Sequence, residues 1–310
     1  MRGIRCDSRR VAAQIPPFSS PPRPARAGGW FNGFLGVVIF SASLPATRIA
    51  VLSLTPLFVS FARAAIAGML ATSFLLIARP RPPDRADLGG LALVALGAVL
   101  GFPLLSALAL RHMTSAHALL FIALLPLSTA SFAVLLAKER PKAIFWVFAA
   151  GGAALVAAYA MSRDRGSESL LGDALMLAAI IVCGLGYAEG GRLSRRLGGW
   201  QVISWALVLS LPLMLPLAIW QAPATWEGTG WPAWLALGYV SVFSMLIGFV
   251  FWYRGLAQGG IAAVGQLQLL QPFMGLGLAA LLLHEPVGWG LVSTSLGVAI
   301  CVAGARRFAV

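Results

Sequence analysis

The chain has 310 residues, of which 59% are hydrophobic and only 11% charged, and its mean hydropathy is +0.86. A soluble globular chain carries about 25% charged residues, so that class is excluded. The net charge of +13 does not mark a nucleic-acid binder either, because the 23 Lys and Arg fall between apolar segments and not along one face.

Residues 1–27 hold six Arg and five Pro with little apolar periodicity. They lack the apolar stretch of about 7–15 residues and the small-residue cleavage site of a secretory signal, so residues 1–28 read as a disordered Arg/Pro-rich cytoplasmic tail. Beyond them the uncharged stretches 27–47, 88–110, 112–137, 143–162, 197–226, 228–253, 255–284 and 286–305 are long. Each can supply the roughly 20 helical residues that cross a hydrocarbon core of about 30 Å. Helices are expected at 29–47, 55–78, 88–110, 115–137, 143–161, 172–191, 200–220, 231–253, 260–283 and 286–304. Arg63 interrupts the second and Glu189 lies just inside the end of the sixth. Both still read as spans, because backbone at membrane depth must satisfy its own hydrogen bonds and a helix does so.

With the N-terminus in the cytoplasm, 18 of the 23 Lys and Arg fall on the inner side. Only Arg48, Arg111, Arg163 and Arg165 fall outside, and Arg63 lies within a span. This asymmetry predicts that both termini are cytoplasmic. The three Cys are scattered, which leaves no disulfide framework and no zinc site.

A fixed offset then relates the two halves. Pro126 and Pro272, Glu139 and Glu285, Gly151 and Gly297, and Leu110 and Leu256 are each 146 residues apart. LLPLSTASFAVLLAKERP in the first half parallels LQPFMGLGLAALLLHEPV in the second. With five spans in each half, the odd number inverts the second repeat relative to the first, the arrangement of secondary carriers with a site between the halves.

The stretches ALRHMTSAHALLFIALLP and GLAQGGIAAVGQLQLLQP, the helix ends LLAKERP and LLLHEP, and the Gly172–Asp173 pair that opens the second half resemble the drug/metabolite transporter superfamily, specifically its EamA-type ten-helix carriers. The resemblance covers about residues 29–305. It implies an all-α integral membrane protein of ten transmembrane helices in two inverted five-helix EamA-like repeats, 29–161 and 172–305. It also implies a carrier of the bacterial inner membrane, often an exporter of metabolites, amino acids or drugs. Arg outnumbers Lys 21 to 2, which looks like the coding bias of a GC-rich bacterium. The chain departs from the family's pattern at Gln271, where a glutamate often precedes the ninth-helix proline, and at Leu209, which stands where the offset from Arg63 falls.

An ionisable side chain within a span costs about 2.5–3.5 kcal/mol on insertion scales, so it tends to face a cavity or a partner. Arg63 matches the family's second-helix Arg and either holds a substrate carboxylate through its planar fork or serves structurally, bonded to helix-end carbonyls. Glu189, read as the only acid within a span, is either an ion-pair partner of Arg192 or a proton-coupling carboxylate with Tyr187 nearby. Gln268 and Gln271 lie about 60° apart on a helix, so both can face one path or bond between helices, whereas Gln266 points elsewhere. His117 either reads substrate or protons or donates to a neighbouring carbonyl. Trp205, Trp252 and Tyr253 either line a pocket or sit as interfacial aromatics. Gly97 and Gly101, and Gly186 and Gly190, permit close helix approach.

No cofactor is implied: the chain lacks GxxxxGK[ST], and its GLG at 184–186 follows no strand. His112 and His117 point about 140° apart, a poor metal pair. The expected function is a secondary transporter moving a small molecule by alternating access, possible as a homodimer in the lipid bilayer and driven by a gradient, with protons the first candidate. The competing readings are a membrane enzyme acting on lipid or peptide, which would need converging acids or a nucleophile with its base, and a non-transporting scaffold, which would carry long loops.

Overall fold

The computed structural model describes residues 27–137, 142–162 and 170–307. The expected tail up to residue 26, Glu139, Arg163 and Arg165 lie outside them. The described residues are helical and contain no strand. Seven helices are long and apolar enough to cross a membrane: α1 (Gly28–Ser53), α2 (Pro56–Ala78), α3 (Arg85–Ala109), α4 (Ser115–Leu136), α6 (Leu170–Leu197), α7 (Gly199–Trp220) and α8 (Trp231–Gly259). Three more carry shorter apolar stretches: α5 (Ala143–Ser162), α9 (built from Ile261–Gly265, Gln266–Leu269 and Leu270–Leu283) and α10 (Trp289–Arg307).

Several ends move from the expected positions for local reasons. α1 runs past residue 47 because Arg48 does not stop it; the guanidinium reaches the Leu110 carbonyl. α6 continues to Leu197 and α8 to Gly259, where Gly198 and Gly260 take φ of 88° and 90° and reverse the chain, angles that a side chain disfavours. α10 starts at Trp289, after Pro286 and Gly288. Asp173 lies in the first turn of α6 and Asp87 in that of α3, so Glu189 is not the only acid within a helix of spanning length. At the start of α2, Thr55 accepts a bond from the Phe58 N–H at 3.3 Å and Pro56 stands where no N–H is required.

Four helices are irregular, and the irregularities correspond. In α3, residues Ala95–Gly101 widen to π-helical winding, and in α8 residues Val240–Ile247 do the same. α4 breaks at Ala123 and Leu124, whose N–H groups bond three residues back to Leu120 and Phe121 at 3.2 and 2.9 Å. α9 tightens to a 3₁₀ turn at Gln266–Leu269. Pro126 cannot donate to Ile122 nor Pro272 to Gln268, which accounts for the weakened winding just before each proline.

The packing has the same correspondence. α2 lies on α7, α5 on α10 and α4 on α9; α1 packs against α8 and α9, while α6 packs against α3 and α4. Advancing every label by five, with α6 returning to α1, turns this pattern into itself. α3 and α6 approach closely, and a Cβ on Gly97 would stand 2.8 Å from the Gly186 Cα. Gly97 is therefore required for the backbones to meet, and a side chain on Gly186 would be tightly crowded.

Gly97→Val should destabilise the fold by about 1–3 kcal/mol through overpacking, seen as a lower melting temperature in detergent and lower membrane abundance. Gly89→Ala, where a Cβ meets nothing within 4 Å, should leave both unchanged.

Candidate functional site

The irregular segments and α1, α2 and α6 surround a small cavity. Its wall is Phe40 and Ser43 from α1, Arg63 from α2, Ala98, Phe102 and Pro103 from α3, Leu125 from α4, Tyr187 from α6, Ser244 and Phe249 from α8, and Gln271 from α9. Ala98 and Ser244, Pro103 and Phe249, and Leu125 and Gln271 are each 146 residues apart. The cavity thus lies where the corresponding elements of the two halves converge.

Arg63 sets the electrostatics. It is 3% exposed, and no carboxylate pairs with it among the described residues. Its Nη2 donates to the Ser244 hydroxyl at 3.2 Å, and Ser244 shares a 2.9 Å hydrogen bond with Ser43. Its Nε finds no partner there. Across the cavity, Gln271 Nε2 donates weakly to the Phe40 carbonyl at 3.4 Å, while its Oε1 is without a partner. Phe40, Tyr187 and Phe249 form an aromatic wall, with the Phe40 and Phe249 centroids 5.0 Å apart and Tyr187 and Phe249 5.7 Å apart. One positive planar group beside hydroxyls and facing aromatic rings can take an anionic group through two parallel hydrogen bonds while the rings cover an apolar portion.

Of the residues singled out from the sequence, Arg63, Tyr187 and Gln271 come together here. Gln268 does not line the cavity; it is fully buried, and neither amide atom has a partner among the described residues. Trp205 is half-buried in α7, also away from the cavity, its indole N–H without a partner among the described residues. His117, near the start of α4, lies 3.0 Å from Asp173 at the start of α6 and stacks on Phe121. Glu189 accepts from Arg192 Nε at 2.8 Å and Nη2 at 2.6 Å, a bidentate pair whose carboxylate is buried and whose arginine is more than half exposed. Trp252 and Tyr253 are fully buried in the core beside Tyr187.

Sequence reasoning passed over Ser43 and Ser244, the partners of Arg63, since serines are common in spans. The usable signal was the offset, which places Ser244 opposite Ala98 within matched segments. It also passed over Asp87, buried in α3 and paired with Arg196, and the donors that Glu285 holds. Its Oε1 accepts from the Ser115 N–H at 3.0 Å, and its Oε2 from the Ser115 hydroxyl at 2.7 Å and the Ala116 N–H at 2.8 Å.

The EamA-like transporter family matches residues 28–162 and again 170–306, nearly the whole chain in two copies. The protein named "Uncharacterized transporter YdeK" of Bacillus subtilis (strain 168) is 66% identical over 281 residues, covering 91% of this chain and 98% of that protein. A solved crystal structure is 19% identical, with a TM-score of 0.65 over 92% of this chain and 98% of that one, a likeness of fold. The chain belongs to the EamA-like transporter family and is a multi-pass membrane protein.

Arg63→Ala should lower transport by at least about tenfold, roughly the effect of a charge-assisted bond, while membrane abundance falls far less. Arg63→Lys should rescue poorly because an ammonium lacks the two-point fork. Normal transport by both variants at normal abundance would remove Arg63 from substrate binding.

Proposed function

We propose that the chain is a secondary carrier that exports a small organic molecule bearing an anionic group, by alternating access through the cavity around Arg63. The observation that carries this is a buried guanidinium whose only hydrogen bond among the described residues goes to a serine, facing an aromatic-walled space where the matched halves meet. Such a charge is costly to leave uncompensated, and an anionic ligand offsets that cost.

In this reading the three shorter helices complete ten crossings, five in each of the repeats 29–161 and 172–305, with the second inverted. The corresponding irregularities and the packing pattern support a two-fold relation between the halves, and the positive residues support cytoplasmic termini in a bacterial inner membrane. Rocking of the halves about the cavity then exposes Arg63 to either side in turn.

Glu189 is the proposed proton acceptor. Its carboxylate is buried while Arg192 reaches solvent, so movement of Arg192 away leaves a buried negative charge that taking up a proton relieves.

The primary test compares metabolites in medium and cells of a deletion strain and an overexpressing strain, then measures uptake of the excess compound by reconstituted vesicles. No difference in either strain and no flux in vesicles would defeat the carrier reading. Reporter fusions at the 162–171 loop and at the C-terminus should report opposite sides of the membrane; the same side for both would remove the inverted repeat. Glu189→Gln should flatten the pH dependence of transport and its response to a collapsed proton gradient. An unchanged profile would leave Glu189 as an ion-pair partner of Arg192 alone.

A further inference from the structure

Three polar links outside the cavity tie the two packing groups, α1 with α8 and α9 and α6 with α3 and α4, to one another at one end of the bundle. Arg48 on α1 reaches the carbonyl of Leu110, just past the end of α3. Arg111, on the turn after α3, returns the contact by donating to the Val51 carbonyl in the last turn of α1 at 3.2 Å. Glu285, on the turn between α9 and α10, holds the first amides of α4. Each link satisfies helix-end groups that lack intrahelical partners and puts the favourable charge at that end, cation at the carbonyls and carboxylate at the amides.

We propose that Arg48, Arg111 and Glu285 form the outer gate of the cavity, three links that open together when Arg63 is exposed to the outer side. This rests on the carrier reading and its orientation. Two arguments support it. First, the arginines belong to one face only. The positions 146 residues after Arg48 and Arg111 are Ser194 and Ala257, and the Ser194 hydroxyl turns to the Gly190 carbonyl of its own helix at 2.6 Å. The counterpart of Glu285, Glu139, lies outside the described residues. Arg48 and Arg111 are also two of the four cations that the orientation leaves outside, and the contact with opposing helix ends accounts for their place there. Second, these links sit at partly exposed groups, where water can replace each bond at small net cost. Packing of the kind that joins Gly97 to Gly186 has no such substitute. A mouth that opens repeatedly is therefore better held by the links.

The test uses the full chain with Cys6, Cys183 and Cys301 replaced by Ala and a single reporter cysteine, Ala98→Cys, in the cavity wall. A membrane-impermeant thiol reagent is applied to whole cells for the outer face and to inside-out vesicles for the cytoplasmic face. Loss of one net hydrogen bond shifts a two-state equilibrium by about fivefold. Arg48→Ala, Arg111→Ala and Glu285→Ala should each raise outer-face labelling by about that factor and leave cytoplasmic labelling unchanged or lower. Equal labelling in parent and variants, an equal rise from both faces, or a rise from the cytoplasmic face alone overturns the gate.

A second measurement covers variants that fold poorly. Arg48→Cys with Leu110→Cys, bridged by a short reducible bifunctional thiol reagent, should stop transport and regain it on reduction. Full transport by the bridged protein overturns the proposal. A parent that moves no substrate defeats the carrier reading instead, and the labelling asymmetry still decides whether this face opens.

Discussion

A guanidinium enclosed by a membrane-spanning bundle is unfavourable by several kcal/mol unless neighbouring dipoles or an anion neutralise it, and the centre of this protein is organised by how Arg63 meets that demand. Its neutralisation is partial. Arg63 of α2 donates to Ser244 of α8, which is bonded in turn to Ser43 of α1, so three helices from both halves are joined by one short chain of polar atoms. Ser244 lies within the π-helical stretch of α8, where each carbonyl bonds five residues on and the angular position of side chains departs from that of a regular helix. The charge of the cavity comes from this one buried residue, which extends the Ser43–Ser244 link between α1 and α8 to α2.

The scaffold around that charge is matched, but its chemistry is not. The π-helical turns of α3 and α8, and the breaks before Pro126 and Pro272, fall at corresponding places, so each half brings a bent helix and a broken helix to the same space. At the corresponding wall positions, however, the first half supplies Ala98 and Leu125 where the second supplies Ser244 and Gln271. At these matched positions the hydrogen-bonding groups therefore come from the second half alone.

Much of the architecture was legible because membrane insertion leaves few solutions: long uncharged stretches between arginines mark helices, and the recurrence of Pro and Glu at one offset marks the duplication. The EamA-like resemblance was legible from the same doubled motifs. Helix ends were less so, because they depend on tertiary partners. Arg48 continues α1 by reaching the end of another helix, and Gly198 ends α6 by a backbone angle that no hydropathy pattern records. In the site, Arg63 stood out as a lone charge, and the offset could have pointed to Ser244. The separation of Gln268 from Gln271 was not legible, because about 60° between two side chains on one helix is enough for one to line the cavity while the other is buried beside it. Asp87 was placed outside its helix, since its partner Arg196 is more than one hundred residues away in the chain.

The two ends of the bundle also hold their charges differently. At the end where α3 begins and α6 finishes, carboxylates pair with arginines: Asp87 with Arg196, and Glu189 with Arg192. Both carboxylates are buried, while both arginines are more than half exposed, so each pair joins a costly buried charge to one that water also solvates. Removing the arginine would strand the carboxylate, which makes these contacts harder to lose than a surface pair. At the opposite end the partners of Arg48, Arg111 and Glu285 include backbone carbonyls and amides, neutral groups that water can satisfy when the contact separates. In the proposed carrier, an equilibrium between two access states would be set by the difference in such costs at the two ends, and alternation would require that neither be prohibitive. The backbone links meet that requirement directly. The end bearing Asp87 and Glu189 can meet it only if the carboxylates keep their arginines as the helices move, as Glu189 and Arg192 can on a single helix, or if a proton takes the arginine's place.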